Sequence, residues 1–268
     1  LFEIILWIEL LAKSLNIFAD KHKSVMKTWT IFLSILLISG FSSCKKDEDK
    51  CEKGEGDRFE DVRYFENFQT FNLDIPGQII LTPDTFLKSS RIVILGQQNV
   101  INQIITSIDS GSVNVSFNQC FKNHDDIQFH IYTPFLQKLV TNTAARFKTT
   151  SAIYGKNFTM ELNSGTTVDI TCKVDSLTTF INSSSTLNIT GYASRQMIYH
   201  KSSGSYSASN LISDSTIIDL SSSGFASVYS TGHLIADLSG AGLIEFSGED
   251  TLNVTTNITG SGKINDLR

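Results

Sequence analysis

From Ala145 onward, apolar and polar positions along the chain recur with a period of about twenty residues, the range in which a fixed period marks stacked supersecondary units. Ala145, Thr166, Ser185, Gly204, Gly224, Gly242 and Gly262 serve as anchors. Four positions before them stand Thr141, Leu162, Ile181, His200, Leu220, Leu238 and Ile258. Two after stand Phe147, Val168, Leu187, Tyr206, Ala226, Ile244 and Ile264, and four after stand Thr149, Ile170, Ile189, Ala208, Val228, Phe246 and Asp266. These columns are mostly apolar, and Ser, Thr, Asn, Asp and Gly fill most of the gaps. The pattern predicts a ladder of β coils over residues 133–268, each adding its apolar positions to one continuous stack.

Upstream, residues 58–132 lack the twenty-residue beat but alternate with period two, as half-buried strands do. Phe71, Leu73 and Ile75 form one such run; Val113, Val115 and Phe117 another; Ile127, Phe129 and Ile131 a third. Arg91–Leu95 reads as a buried strand, Asn99–Ile105 as a short helical turn, and Pro76-Gly77, Pro83-Asp84 and Asp109-Ser110-Gly111 as turns. This region is expected to be a strand-rich cap over one end of the ladder, whose backbone edge would otherwise be open.

The first residues concern delivery. Met26 and Lys27 open a short apolar run, Ile31–Gly40, followed by Phe41-Ser42-Ser43-Cys44, which resembles a bacterial lipobox. Residues 26–43 are expected to be a lipoprotein signal peptide and Cys44 the lipidated residue; a plain secretory signal cut nearby is the alternative. Residues 44–57 read as a charged tether, beginning Lys45-Lys46-Asp47-Glu48, a pattern similar to signals that send lipoproteins to the outer surface. Residues 1–25 fit a start placed too far upstream, or a fragment; a real N-terminal helix is the other reading.

Composition narrows the function. The net charge of −5 and the absence of a basic cluster argue against a nucleic-acid partner. Expected partners are the membrane, through the lipid, and a glycan or surface protein; oligomeric state is left open. Localisation follows as the cell envelope, lipid-anchored at the outer membrane and exposed at the surface. Four Cys occur. With Cys44 acylated and the chain exported to an oxidising compartment, Cys51–Cys120 is the expected disulfide, leaving Cys172 as a small buried thiol at a turn.

Catalytic candidates are sparse. Asp219 and Asp237 each precede an inward Leu and should point outward on neighbouring coils, the best acid pair for the spacing glycoside hydrolysis needs; Asp175, Asp214 and Asp250 also recur, as turn residues. His124-Asp125-Asp126 with His130 sketches a metal site without regular ligand spacing. His200 lies in an inward column, where a hydrogen-bonded core histidine is the expectation. Tyr64, Phe65, Phe68 and Phe71 suggest cap packing before a binding platform. Gly260-Ser261-Gly262-Lys263 lacks the following helix of a phosphate loop. Asp175-Ser176-Leu177, Asp214-Ser215-Thr216 and Asp250-Thr251-Leu252 resemble an Asp-Ser/Thr-apolar O-glycosylation acceptor. No cofactor, metal or enzymatic activity is expected.

Arg58 with Phe65 and Phe68, the junction Pro134-Phe135-Leu136-Gln137-Lys138-Leu139, and the Ser-Gly repeats ending in Gly260-Ser261-Gly262-Lys263-Ile264 follow one another in an order that resembles the autotransporter-adhesin head GIN domain family, over about residues 51–268. Ala145, Thr166 and Ser185 replace the anchor Gly in the early coils. The resemblance implies a right-handed parallel β-helix of about 20 residues per coil capped by an N-terminal β region, hence an all-β fold, and cysteines near 51 and 120 that are paired. The expected function is non-catalytic surface presentation or adhesion-type binding; an inert spacer and a polysaccharide-processing enzyme are the alternatives. Leu220→Asp should unfold the domain, and Ser222→Ala should cost no more than about 0.5 kcal/mol.

Overall fold

Side chains that alternate between two faces require strands, and strands make up most of the chain. The computed structural model describes residues 51–268. The expected start region 1–25, the signal peptide 26–43 and the lipidation site Cys44 lie outside the described residues. The elements in order are β1 (Glu52–Lys53), β2 (Arg58–Phe65), β3 (Thr70–Leu73), β4 (Gly77–Pro83), β5 (Ser90–Gln97), the short helix α1 (Gln98–Ile101), β6 (Ile104–Asp109), β7 (Ser112–Phe117), β8 (Phe121–Lys122) and β9 (Gln128–Thr133). The solenoid strands follow: β10 (Lys138–Thr141), β11 (Ala145–Thr149), β12 (Ile153–Leu162), β13 (Thr166–Ile181), β14 (Thr186–His200), β15 (Ser205–Leu220), β16 (Phe225–Leu238), β17 (Leu243–Gly248), β18 (Asn253–Ile258) and β19 (Lys263–Asp266).

From β10 onward the strands stack in parallel, coil upon coil. Thr141, Leu162, Ile181, His200, Leu220, Leu238 and Ile258 are successive register partners. So are Phe147, Val168, Leu187, Tyr206, Ala226, Ile244 and Ile264. The apolar columns of the sequence are thus the inner columns of a parallel β-solenoid, and Leu162, Ile181, Leu220, Ala226 and Ile244 are fully buried. The register slips at bulges between Asn188 and Thr190 and between Ala208 and Ile212. One consequence is a correction: Cys172 stacks on Gly191 and then Leu211, not Asn210, and it lies within β13 instead of a turn.

The anchor column also has a physical reason. A Cβ at Gly224 would come within 2.5 Å of His200 Cε1 and 2.6 Å of the Ser202 carbonyl oxygen, so only glycine lets the coils close there. The early anchors use hydroxyls instead. Thr166 Oγ1 lies 2.8 Å from Thr141 Oγ1, and Ser185 Oγ accepts from the Thr166 N–H at 3.1 Å while donating to the Ser164 carbonyl at 3.0 Å. Gly191 is different again: its φ of 112° lies in the left-handed region, where the backbone turns over Cys172.

The region 58–132 differs from a simple cap. Val115 pairs in parallel with Leu73, which pairs with Thr141; Phe129 pairs in parallel with Ile79, which pairs with Phe147. Two rungs of the solenoid are therefore built from this region, and their spatial order is β7/β9, then β3/β4, then β10/β11. The chain enters the ladder at its second rung, leaves, builds the outermost rung, and returns to continue from the third. That detour breaks the twenty-residue beat without breaking the columns.

Beyond the outermost rung the ladder ends in antiparallel strands. β5 pairs with β9, β2 with β5, and β6 with β7. The β6–β7 hairpin turns through Ser110 and Gly111, both at positive φ (50° and 77°), the two-residue turn whose twist suits a hairpin. Arg63 ties the two edges together: its Nη1 donates to the Ile104 carbonyl at 2.8 Å and to Thr106 Oγ1 at 3.1 Å, while its Nε pairs with Asp61 at 2.7 Å. Cys51 and Cys120 are joined by a disulfide beside the short parallel bridge of β1 and β8. Phe68 and Phe71 are core residues, Phe65 packs edge-on against Phe68, and Tyr64 is exposed.

At the opposite end, Asp266 follows Phe246 in an inward column, and Arg268 closes over it. The guanidinium sits 5.6 Å from the Phe246 ring centroid, donates to the Leu252 carbonyl at 3.3 Å, and binds Asp266 through Nη2 at 2.6 Å. These hydrogen bonds hold the Asp266 carboxyl below its usual range. A charge placed in an inward column is one way to blunt a sheet edge.

Candidate functional site

Outward positions on a solenoid repeat as faithfully as inward ones, so side chains form ladders along its faces. At one corner, Asn182 Nδ2 donates to Asn163 Oδ1 (2.8 Å), Asn163 Nδ2 to Asn142 Oδ1 (2.8 Å), and Asn142 Nδ2 to Asp74 Oδ1 (2.6 Å). Elsewhere Thr171 meets Thr190 at 2.9 Å, Ser184 meets Ser203 at 2.9 Å, and Asn188 donates to Asp169 at 3.0 Å. Ser222 Oγ donates to the Ser202 carbonyl and accepts from the Gly224 N–H at 3.2 Å. Ser222 is thus a ladder member, and a cost near about 1 kcal/mol for its removal replaces the smaller expectation.

Asp219 and Asp237 are register partners on neighbouring strands. They extend an outward column running Glu161, Phe180, Tyr199, Asp219, Asp237, Asn257. Phe180 and Tyr199 stack on each other, with ring centroids 4.9 Å apart and planes 8° from parallel, so each spends a face on the other. Both aspartates are half-buried on the outward face of their strands.

The histidine candidates disperse. His124 Nδ1 lies 2.8 Å from the Asp125 carbonyl oxygen and its ring packs edge-on against Phe117; Asp126 pairs with Arg146 at 3.4 Å. His130 points along β9, 3.4 Å from Gln128 Oε1, and burial together with the nearby Lys148 charge lowers its pKa against the pull of Glu60. Among the described residues, no three His, Cys, Asp or Glu side chains converge as metal ligands would. His200 is fully buried, with Nε2 3.0 Å from the Gly204 carbonyl and Nδ1 accepting from the Ser202 N–H at 3.4 Å. Burial holds this imidazole below its usual pKa, opposed by the bond to Gly204. The three acceptor-like tripeptides also part ways: Ser176 and Ser215 sit within paired strands, and only Thr251 lies in an exposed turn.

Inside the middle coils is a polar cluster that sequence reasoning missed. Gln196 Nε2 donates to Tyr206 OH at 2.7 Å, and its Oε1 accepts from Ser213 (3.2 Å) and Thr216 (3.4 Å). All four are buried, and burial raises the Tyr206 pKa. Cys172 is free and buried nearby, its thiol pushed up to about 12 by desolvation. The signal was present as Gln196, which interrupts an inward column otherwise made of Phe158, Leu177, Thr216 and Leu234. Its bonds are satisfied internally, so it specifies packing and reaches no solvent.

A second unforeseen feature does reach solvent. Tyr154, Lys173, Tyr192, Ile212 and Tyr229 occupy one outward column on five successive coils. Tyr192 donates to Asp214 at 2.6 Å and Tyr229 to Glu249 at 3.0 Å. At the column's first member, Tyr154, a cleft of about 420 Å³ opens between β12 and the segment before β10, lined by Phe135, Gln137, Lys156 and Asn157 among others.

The arrangement defines a β-solenoid head with laddered polar faces and an outward column rich in tyrosine. The sequence matches the family described as "Putative auto-transporter adhesin, head GIN domain" over residues 85–249, and the chain belongs to that family. Similar solved structures include a putative adhesin from Bacteroides fragilis NCTC 9343, 18% identical, with TM-score 0.74 over 80% of this chain and 99% of that one. A putative adhesin from Parabacteroides distasonis ATCC 8503 is 16% identical, with TM-score 0.69 over 81% and 99%. A protein of the same organism described as a putative lipid binding protein is 17% identical, with TM-score 0.67 over 81% and 99%. At such identities the likeness shows the fold alone. No curated protein matches the chain. Among the described residues no helix is long and apolar enough to cross a membrane.

Proposed function

We propose that this chain is a non-catalytic cell-envelope lipoprotein, anchored through Cys44 at the outer membrane, whose solenoid head is displayed at the cell surface for adhesion-type binding to a glycan or a surface protein. The observation that carries the reading is the outward column from Tyr154 to Tyr229. It lines up three tyrosines, a lysine and an isoleucine on consecutive rungs of a rigid scaffold, and tyrosine-rich faces suit contact surfaces. Family membership supports the same direction. Asp219 and Asp237, the best acid pair, do not line the cleft at Tyr154, which favours binding over hydrolysis as the role of that cleft.

The test pairs protease shaving of intact cells with an adhesion assay on a deletion strain. The reading expects the head to be shaved from intact cells and the deletion strain to lose adhesion. Protein that is untouched by protease, or a deletion strain that adheres normally, would refute it. Turnover in a polysaccharide hydrolase screen would refute the non-catalytic part.

A further inference from the structure

Phe135 and Tyr154 are 53% and 55% exposed and flank the same cleft of about 420 Å³. Among the described residues neither ring packs against another aromatic, unlike Phe180 and Tyr199. Among the described residues the hydroxyl of Tyr154 has no partner, whereas those of Tyr192 and Tyr229 in the same column are held by Asp214 and Glu249. Two half-exposed rings without an aromatic partner, and one hydroxyl without a hydrogen bond among the described residues, thus meet at a concave site of small-ligand size. The polar groups beside them are the amides of Gln137 and Asn157 and the ammonium of Lys156.

The charge pattern selects the ligand. Lys156, Lys173 and Arg195 lie on three successive rungs, in three neighbouring outward columns, and none has an ion-pair partner among the described residues. Asp175 stands next to the Lys156 position on the adjoining rung, yet no ion pair joins them. Rungs repeat every ~4.8 Å, close to the length of one sugar unit in an extended chain. A cleft without charged neighbours would suit any sugar; three unpaired cations clustered on neighbouring rungs, with the carboxylate of Asp175 among them, suit a chain that carries a negative charge on its units.

We propose that the cleft between Phe135 and Tyr154 binds an acidic polysaccharide of the uronate type. A pyranose ring sits against the free aromatic faces, its hydroxyls meet Asn157 and Gln137, and its carboxylate meets Lys156. The chain continues along the solenoid axis past Lys173 and Arg195. This deepens the adhesion reading and rests on it for its biological setting, though the binding event stands on the cleft alone.

The test measures binding of the full-length protein to polygalacturonate, with dextran sulfate and neutral dextran as comparison polymers. Saturable binding to polygalacturonate and none to neutral dextran is expected. Tyr154→Ala and Lys156→Ala should each weaken binding at least tenfold, while Lys263→Ala on the last coil leaves it unchanged. Because Tyr154 and Lys156 are exposed, both variants should keep the wild-type melting curve. Failure to bind polygalacturonate overturns the proposal. So does equal binding of dextran sulfate that Tyr154→Ala leaves intact, which would mark charge attraction without the cleft. Adhesion lost on deletion, together with polygalacturonate binding that Tyr154→Ala leaves intact, overturns the cleft and spares the adhesion reading. Polygalacturonate binding through Tyr154 in a protein whose deletion does not affect adhesion supports the cleft and removes its assumed setting.

Discussion

Leu220 gives the most direct test of the stacked columns. It is fully buried and lies in register between His200 and Leu238, each fixed by parallel strand pairing on both sides. Truncation to Ala removes three carbons from a stack whose neighbours are pinned by backbone hydrogen bonds. The cavity cannot collapse far, which places the cost in the upper part of the Leu→Ala range, about 4 kcal/mol. Leu220→Asp adds the desolvation of a carboxyl beside the buried His200, whose own burial disfavours the charged imidazolium that would pair with it, a further cost of about 2 kcal/mol. Together these approach the whole stability of a typical domain, about 5–15 kcal/mol, so the Asp variant should be unfolded or nearly so. The assay is urea unfolding followed by far-UV circular dichroism, because both tryptophans lie within the first thirty residues and report nothing on the head. Leu220→Ala should lower the midpoint with an unchanged slope. Ser221→Ala, exposed in the following turn, serves as the control and should shift stability by less than about 0.5 kcal/mol. Equal midpoints for Leu220→Ala and Ser221→Ala would refute the inward assignment of the column.

Gly191→Ala should destabilise by more than about 1 kcal/mol in the same assay, because φ of 112° disfavours any side chain and its Cβ would press on the Cys172 carbonyl. Reducing the Cys51–Cys120 disulfide, whose cysteines are 69 residues apart, should lower stability by up to about 4 kcal/mol, checked by melting with and without reductant. His200 has a folded pKa below its ordinary 6.5, so the unfolded chain binds the proton more tightly; the stability it contributes is complete above pH 6.5 and is lost as pH falls through the folded value. His200→Leu should flatten that acid limb but not abolish it, since His130 is shifted in the same direction. Cys172 should resist alkylation in native protein at pH 8 and react once unfolded, read by peptide mass, because its buried thiol is pushed up to about 12.

The sequence by itself determined the coils. Inward and outward positions alternate strictly, and the coil length is nearly constant, so Leu162, Ile181, Leu220 and Leu238 could be aligned from spacing alone. The hairpin at Ser110-Gly111 was equally legible, because its backbone conformation is written into a two-residue turn. Three things were not. The rungs at 70–83 and 112–133 are out of sequence order, and a linear period cannot register a ladder that the chain enters at its second step. The bulges near Asn188 and Ala208 shift the third side of the coil, so Ile212 and Tyr229 fall eight and five residues after their anchors, where Lys173 and Tyr192 fall seven after theirs, and the column is complete only in space. The cleft joins Phe135 to Tyr154 across two neighbouring rungs, and Phe135 looked in sequence like one more residue of a junction motif. Periodicity fixes what each coil buries, because burial repeats with the backbone. What the coils present to solvent depends on corners, bulges and rung order, and those are settled only when the chain is stacked.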